Sequence, residues 1–190
     1  LHSDTHSFPT RRSSDLYYAA AVAAVVIVGY FAFFPGKQEK LYADYFKPYP
    51  NEVITYTRGE GVPEKYQHFT QEQYNRVVRA MKYYERENYQ QAARLFEENL
   101  QEMPENAGLL FYRAICRMKT DRFGLAIQDL RYILSLPNPP LKYQSQWYLA
   151  LAWLKTDQPD KAVSLLQEIS SMPDHPYREK AKEMLLVIPG

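Results

Sequence analysis

From Thr70 onward, apolar residues return with a helical period. Val77, Val78, Ala80, Met81 and Tyr84 fall on one face, as do Leu110, Phe111, Ala114, Ile115 and Met118, then Trp147, Ala150, Leu151 and Leu154. The first helix has a strong start. Thr70 is placed to cap it, Gln73 completes a capping box, and Phe69 with Tyr74 makes a hydrophobic staple. Asn88 is expected to cap the second helix. Met103-Pro104-Glu105-Asn106 ends that helix and opens the third, and Asp121 begins the fourth. Leu136-Pro137-Asn138-Pro139-Pro140 is a rigid turn before the fifth. Asp157 starts the sixth, which runs to about Ser171 before Pro173-Asp174-His175-Pro176 breaks it. A last helix carries Tyr177, Ala181, Met184, Leu185 and Ile188 on one stripe and Arg178, Glu179, Lys182 and Glu183 on the other.

These helices repeat as pairs. Asn88 to Phe96 realigns with Arg122 to Leu130, and again, after two extra residues, with Gln158 to Leu166. A period of about 34 residues built from two helices predicts an all-α solenoid. The domain expected over 70–188 is three helix pairs plus a capping helix, polar on its outer side as a solenoid end requires.

Two segments precede the array. Tyr17 to Phe34 holds no charged residue. At 1.5 Å per residue it reaches about 27 Å, enough for a bilayer core, and aromatics bracket it at both ends. It lacks a polar stripe and ends in Phe33-Phe34-Pro35-Gly36 rather than in a small-x-small cleavage site, so it reads as one uncleaved transmembrane helix. Residues 35–69 form an aromatic-rich juxtamembrane segment, with Lys40 to Phe46 suited to a short helix stopped by Lys47-Pro48-Tyr49-Pro50. Glu52 to Thr57 alternates and is β-prone, and Arg58 to Pro63 is a turn. The aromatics Tyr42, Tyr45, Phe46 and Tyr49 are too dense for a solvated tether. The segment is expected to fold back over Tyr74, Val78 and Met81, leaving Phe111, Ile115, Trp147 and Leu151 open.

The array resembles the tetratricopeptide repeat. Small residues stand where helices cross closely, at Ala80, Ala114 and Ala150 in the first helices and Ala92, Ala126 and Ala162 in the second. Tyr89 and Phe123 stand at the elbows, Phe96, Leu130 and Leu166 at the large positions, and Pro104, Pro137 and Pro173 near the unit ends. Arg76, Arg79 and Asn99 depart from the pattern. The resemblance implies that the first helix of each unit lines a concave groove. Its candidate partner-binding residues are Tyr74, Val77, Met81, Tyr84, Phe111, Ile115, Met118, Trp147, Leu151 and Leu154, against the plainer reading that they are core. Val77, Met81, Phe111 and Ile115 stand where some members clamp a peptide carboxylate with basic and Asn residues, so that mode is not expected.

More narrowly, the anchor, LYADYFKPYPN, RGEG and the closing HPYREKA resemble single-pass membrane tetratricopeptide proteins of Bacteroidota. That implies an inner-membrane protein with periplasmic repeats, whereas Lys37 and Lys40 alone would favour a cytoplasmic side. His6 to Leu16, HSFPTRRSSDL, resembles a translated reading frame of a short-read sequencing adapter. Residues 1–16 are therefore set aside. The functions implied are a membrane-anchored scaffold or adaptor for a protein or peptide partner, or the outer sensor half of an anti-sigma-like signalling protein.

Composition narrows this further. The balance is 23 basic against 22 acidic residues, so no basic excess points to nucleic acid. The 17 tyrosines suit a partly wet recognition surface. The lone Cys116 is read as a small buried apolar residue, and His68 and His175 are not at metal-ligand spacing. Arg113 and Arg117, one turn apart, are expected to meet Glu97, Glu98 or Asp129. No phosphate loop, catalytic carboxylate pair or nucleophile motif appears, so no enzyme, cofactor or metal is expected.

Overall fold

The helices begin and end where local chemistry dictates. Thr70 Oγ1 accepts from the Gln73 N–H, and the Gln73 side chain accepts from the Thr70 N–H at 2.8 Å, which closes the capping box. Asn88 and Asn106 cap the next two helices through the N–H groups of Gln91 and Leu109. The computed structural model describes residues 36–52, 69–156 and 158–188. Among these are eight helices and no strand: α1 (Lys37–Tyr45), α2 (Gln71–Glu85), α3 (Tyr89–Glu102), α4 (Ala107–Lys119), α5 (Phe123–Ser135), α6 (Lys142–Lys155), α7 (Pro159–Ser171) and α8 (Arg178–Val187). Gln38 onward forms one compact unit.

From α2 to α8 each helix packs on the next in sequence, and α4 also touches α6. This is the contact pattern of a helical solenoid, in which a repeat meets chiefly its neighbours. Ala80, Ala92, Ala114, Ala126, Ala150 and Ala162 are all fully buried. With only a methyl group at these positions, the paired backbones come close. Phe96, Leu130 and Leu166 fill the space beside them and are fully buried too. Asn99 stands in the same core, its amide donating to the Leu95 carbonyl at 3.0 Å.

One start differs from the local reading. Asp121 caps nothing. It sits at φ 56° in the turn between α4 and α5, and the residue before α5, Arg122, makes no side-chain cap bond. The previous elbow is built alike, with Glu87 at φ 58°. In both, the next N–H reaches back five residues, Asn88 to Tyr83 and Arg122 to Arg117. That is a Schellman-type closure with a non-glycine residue in the left-handed position. Gln158, again without a side-chain cap bond, precedes α7, whose first residue is Pro159. Asp157 lies outside the described residues, as do residues 1–35 and 53–68, which hold the apolar run and the β-prone stretch. Among the described residues no helix is long and apolar enough to cross a membrane.

One ion network ties three helices. Asp129 on α5 accepts from Arg113 Nε and Nη2 and from Arg117 Nη1, at 3.1, 2.6 and 2.6 Å. Both arginines also reach Glu97 on α3. Burial pushes the Asp129 carboxyl up, while the two guanidiniums act to keep it ionised. Its loss would leave two nearly buried cations sharing the half-exposed Glu97 alone. Asp129→Asn is therefore expected to cost about 3 kcal/mol in urea unfolding, far more than Arg94→Ala, whose partner Glu98 is solvent-exposed.

His175, between α7 and α8, is buried. Its Nδ1 accepts from the Tyr177 N–H at 3.2 Å, and the Tyr143 ring meets it edge-on at 4.7 Å. This seat suits neutral imidazole. Burial, helped by Lys142, pushes its pKa below the ordinary value. The unfolded chain then binds the proton more readily than the folded one. The contribution to stability is full above about pH 6.5 and is lost as pH falls below that value, levelling off once the folded imidazole also titrates. Thermal midpoints measured from pH 7.5 to pH 5 should fall more steeply for the wild type than for His175→Asn.

Candidate functional site

The inner face of the array is made by the first helix of each pair, α2, α4 and α6, and it is covered by the chain's own residues from Leu41 to Glu52. This segment is built in two parts. In α1, Leu41, Tyr42 and Tyr45 point one way with Phe46 just beyond, and Leu41 is buried. Pro48 and Pro50 then forbid further helix and hold the chain extended. Prolines bring no N–H, so this stretch arrives with carbonyls to satisfy and few donors.

Three tyrosines satisfy them, one from each inner helix. Tyr148 Oη donates to the Lys47 carbonyl at 2.6 Å, Tyr84 Oη to that of Tyr49 at 2.7 Å, and Tyr112 Oη to that of Pro50 at 3.0 Å. Tyr112 Oη also accepts from the Glu52 N–H at 3.2 Å. Burial pushes the phenols of Tyr84 and Tyr148 well above their ordinary value, so both stay protonated and remain donors. The Tyr49 hydroxyl donates to Glu52 Oε1 at 2.6 Å, and its pKa is raised to about 12 by burial and by that carboxylate.

The rings interlock around these bonds. Tyr49 stands edge-on to Phe111, Tyr112 and Tyr148, with centroids 5.2, 6.2 and 6.5 Å away. Phe46 stacks on Tyr42 and meets Tyr148 edge-on. Tyr45 meets Trp147, which itself stacks on Tyr177. Such pairs contribute about 0.5–1.5 kcal/mol each beyond the area they bury. Lys155 lies over the rings of Tyr42 and Phe123 and pairs with Glu39. Asn51 donates to Glu85 at the far end of α2.

The segment does fold back, but not where the sequence placed it. It lies mainly over the second and third pairs and meets the first at the far end of α2, through Tyr84 and Glu85, with its ring contacts on Phe111, Tyr112, Trp147 and Tyr148. Phe111 and Trp147, expected to be open, lie beneath Tyr49 and Tyr45; Ile115 and Leu151 are fully buried. The reason is chemical. Tyr112 and Tyr148 occupy equivalent positions of the second and third units and supply hydroxyl donors; the first unit has Val78 there and gives its donor, Tyr84, from the last turn of α2. Of the ten candidate residues, Val77, Met81, Tyr84, Phe111, Ile115, Met118, Trp147, Leu151 and Leu154 are buried, and Tyr74 is half-buried. Tyr84, Phe111 and Trp147 touch the docked segment. Tyr112 and Tyr148 were missed. The sequence signal was a tyrosine two residues before a crossing alanine (Ala114, Ala150) in successive units, where a buried phenol needs an acceptor.

Cys116 is fully buried, and burial pushes its thiol up, away from a reactive thiolate. Among the described residues no cluster of His, Cys, Asp or Glu is arranged to hold a metal ion. Chain and face together define an all-helical, neighbour-packed array holding an extended stretch of polypeptide. No family model, no curated protein and no solved structure matches this chain.

Removing one hydroxyl while keeping the ring isolates its contribution. Tyr148→Phe is expected to cost about 1 kcal/mol and to raise amide exchange in Tyr42 to Phe46 more than in α3. Equal exchange in both places would show that the hydroxyl does not hold the segment.

Proposed function

We propose that this chain is a membrane-tethered, tetratricopeptide-like scaffold whose inner face holds polypeptide segments of a protein partner. The observation that carries the reading is the set of hydroxyl-to-carbonyl bonds from Tyr84, Tyr112 and Tyr148. They grip an extended segment by its main chain, while ring-lined slots take its side chains. That division of labour is how extended peptides are recognised, with backbone bonds giving affinity and pockets giving selectivity. The helix-pair period and the buried alanines support the tetratricopeptide likeness. The uncharged run Tyr17 to Phe34 supports the tether, and the resemblance to Bacteroidota proteins supports a periplasmic array on the inner membrane.

A second reading has an observation of its own. The segment on the inner face follows closely after that uncharged run. A partner acting on the face would therefore act on the tether, as the outer half of a signalling protein requires.

The test is photo-crosslinking in the cells that make the protein. A crosslinking amino acid at Gln144 or Gly108, both on inner helices, is expected to trap a discrete protein partner. The same group at Leu125 or Arg131, on the outer helix α5, is not. Equal trapping at all four positions, or none at the inner pair, would sink the scaffold reading of this face.

A further inference from the structure

We propose that Tyr42 to Glu52 is a resident ligand of the inner face, exchangeable for an extended partner segment in which an aromatic residue is flanked by prolines. This rests on reading the face as a peptide-binding surface, and it names the partner's chemistry and the way access is regulated.

Helix contacts run from each helix to the next between α2 and α8. The segment is not one of the stacked layers, although Leu41 at its start reaches the core. Its rings are only half-buried, unlike Phe96 and Phe111 in the core below. Its ends are held by Glu39 with Lys155 and by Asn51 with Glu85, pairs with an exposed partner that add little. Most of the grip lies in the three hydroxyl bonds and the slots around Tyr49, Phe46 and Tyr45.

That grip reads a type of chain rather than one sequence. The hydroxyls bond carbonyls, which every residue has. Helices consume their own carbonyls internally, so the face has few acceptors for an incoming N–H. A segment with proline on either side of its anchoring ring removes those donors and is already extended. The slot formed by Phe111, Tyr112 and Tyr148 then takes the ring edge-on. The surrounding charges are mixed, Asp44 and Glu183 with Lys47 and Lys180, so a strongly charged partner gains nothing there.

There is also room to begin an exchange. A cavity of about 340 Å³ lies between Tyr49 and Glu52 of the segment, Ala107 and Tyr112 of α4, and Leu141. It is lined mainly by apolar groups and large enough for an aromatic side chain. A partner ring can enter there while Tyr49 is still seated, so displacement proceeds in steps rather than by release of the whole segment at once.

The experiment titrates a fluorescent peptide of residues 40–52 into the full chain in detergent micelles and reads anisotropy. Cis occupancy lowers apparent affinity by the fraction of molecules whose face is open. The variant Tyr45→Ser with Tyr49→Ser is expected to bind the peptide about tenfold more tightly than the wild type, or better. Adding Tyr84→Phe, Tyr112→Phe and Tyr148→Phe should weaken that binding by about tenfold or more. A peptide with both prolines changed to alanine should bind less well. If the double variant keeps its helical circular dichroism and binds no more tightly than the wild type, the proposal is overturned. Should that variant fail to fold, a protease site placed within 53–68 of the wild type and cut after folding replaces it. Exchange of the labelled peptide for the cut segment then supports the proposal, and no exchange overturns it. An amphipathic helical peptide outcompeting the extended one would overturn this inference while leaving peptide binding by the face intact. Binding of neither would remove both.

Discussion

A helical array has no backbone donors to offer a guest. Every interior N–H of α2, α4 and α6 is spent on its own helix, so an extended segment laid across them must find its partners among side chains. Leaving such carbonyls buried and unpaired would cost about 1–3 kcal/mol each. This chain meets the constraint with three phenols, each raised from a different inner helix to a different carbonyl. Tyrosine suits the place because its ring belongs to the apolar face while its hydroxyl reaches past it. The docked segment, the edge-on rings around Tyr49 and the covering of the inner face all follow from that arrangement.

The array beneath is held by different means. Alanines at the crossings let paired backbones approach, and the large residues beside them fill the remaining space. The ion network of Arg113, Arg117, Asp129 and Glu97 ties α3, α4 and α5 together, away from the inner face. The paired arginines that a sequence reader could take for an acidic-partner site are thus occupied within the fold. Glu87 and Asp121 add a small cost at the elbows, since left-handed backbone is less favourable for residues other than glycine. Both of these elbows share the same hydrogen-bond closure, whereas at the third the Gln158 N–H bonds the Thr156 carbonyl instead.

The scaffold reading and the sensor reading share one physical object, the inner face with its own chain upon it. They differ in what the occupied state is for. For a scaffold, the segment keeps an apolar face from water until a partner arrives, since a large uncovered aromatic surface invites association. For a sensor, as proposed, occupancy of the face would be passed along the chain to the run at Tyr17 to Phe34. Under either proposal the specificity would reside in backbone acceptors and ring slots rather than in a charge clamp.

Much of the fold is local or periodic, and so the sequence determined it. Thr70 and Gln73 satisfy each other across one helical turn, Asn88 and Asn106 bond N–H groups three residues on, and the crossing alanines recur with the unit. Local chemistry misjudged Asp121, because the C-terminal closure of α4 claims the residue before a cap could form. The site was only partly legible. The sequence showed that the aromatics of Tyr42 to Tyr49 could not remain solvated, yet it could not say where they would lie. Tyr148 and Lys47 meet across a separation of 101 residues, and Tyr112 and Pro50 across 62. No local pattern encodes such a pairing. The burial of His175 and the closure of the Arg113 and Arg117 network are likewise products of packing. Only the stacked helices bring three hydroxyls into line with three carbonyls, because that alignment depends on how far each pair advances and turns relative to the last.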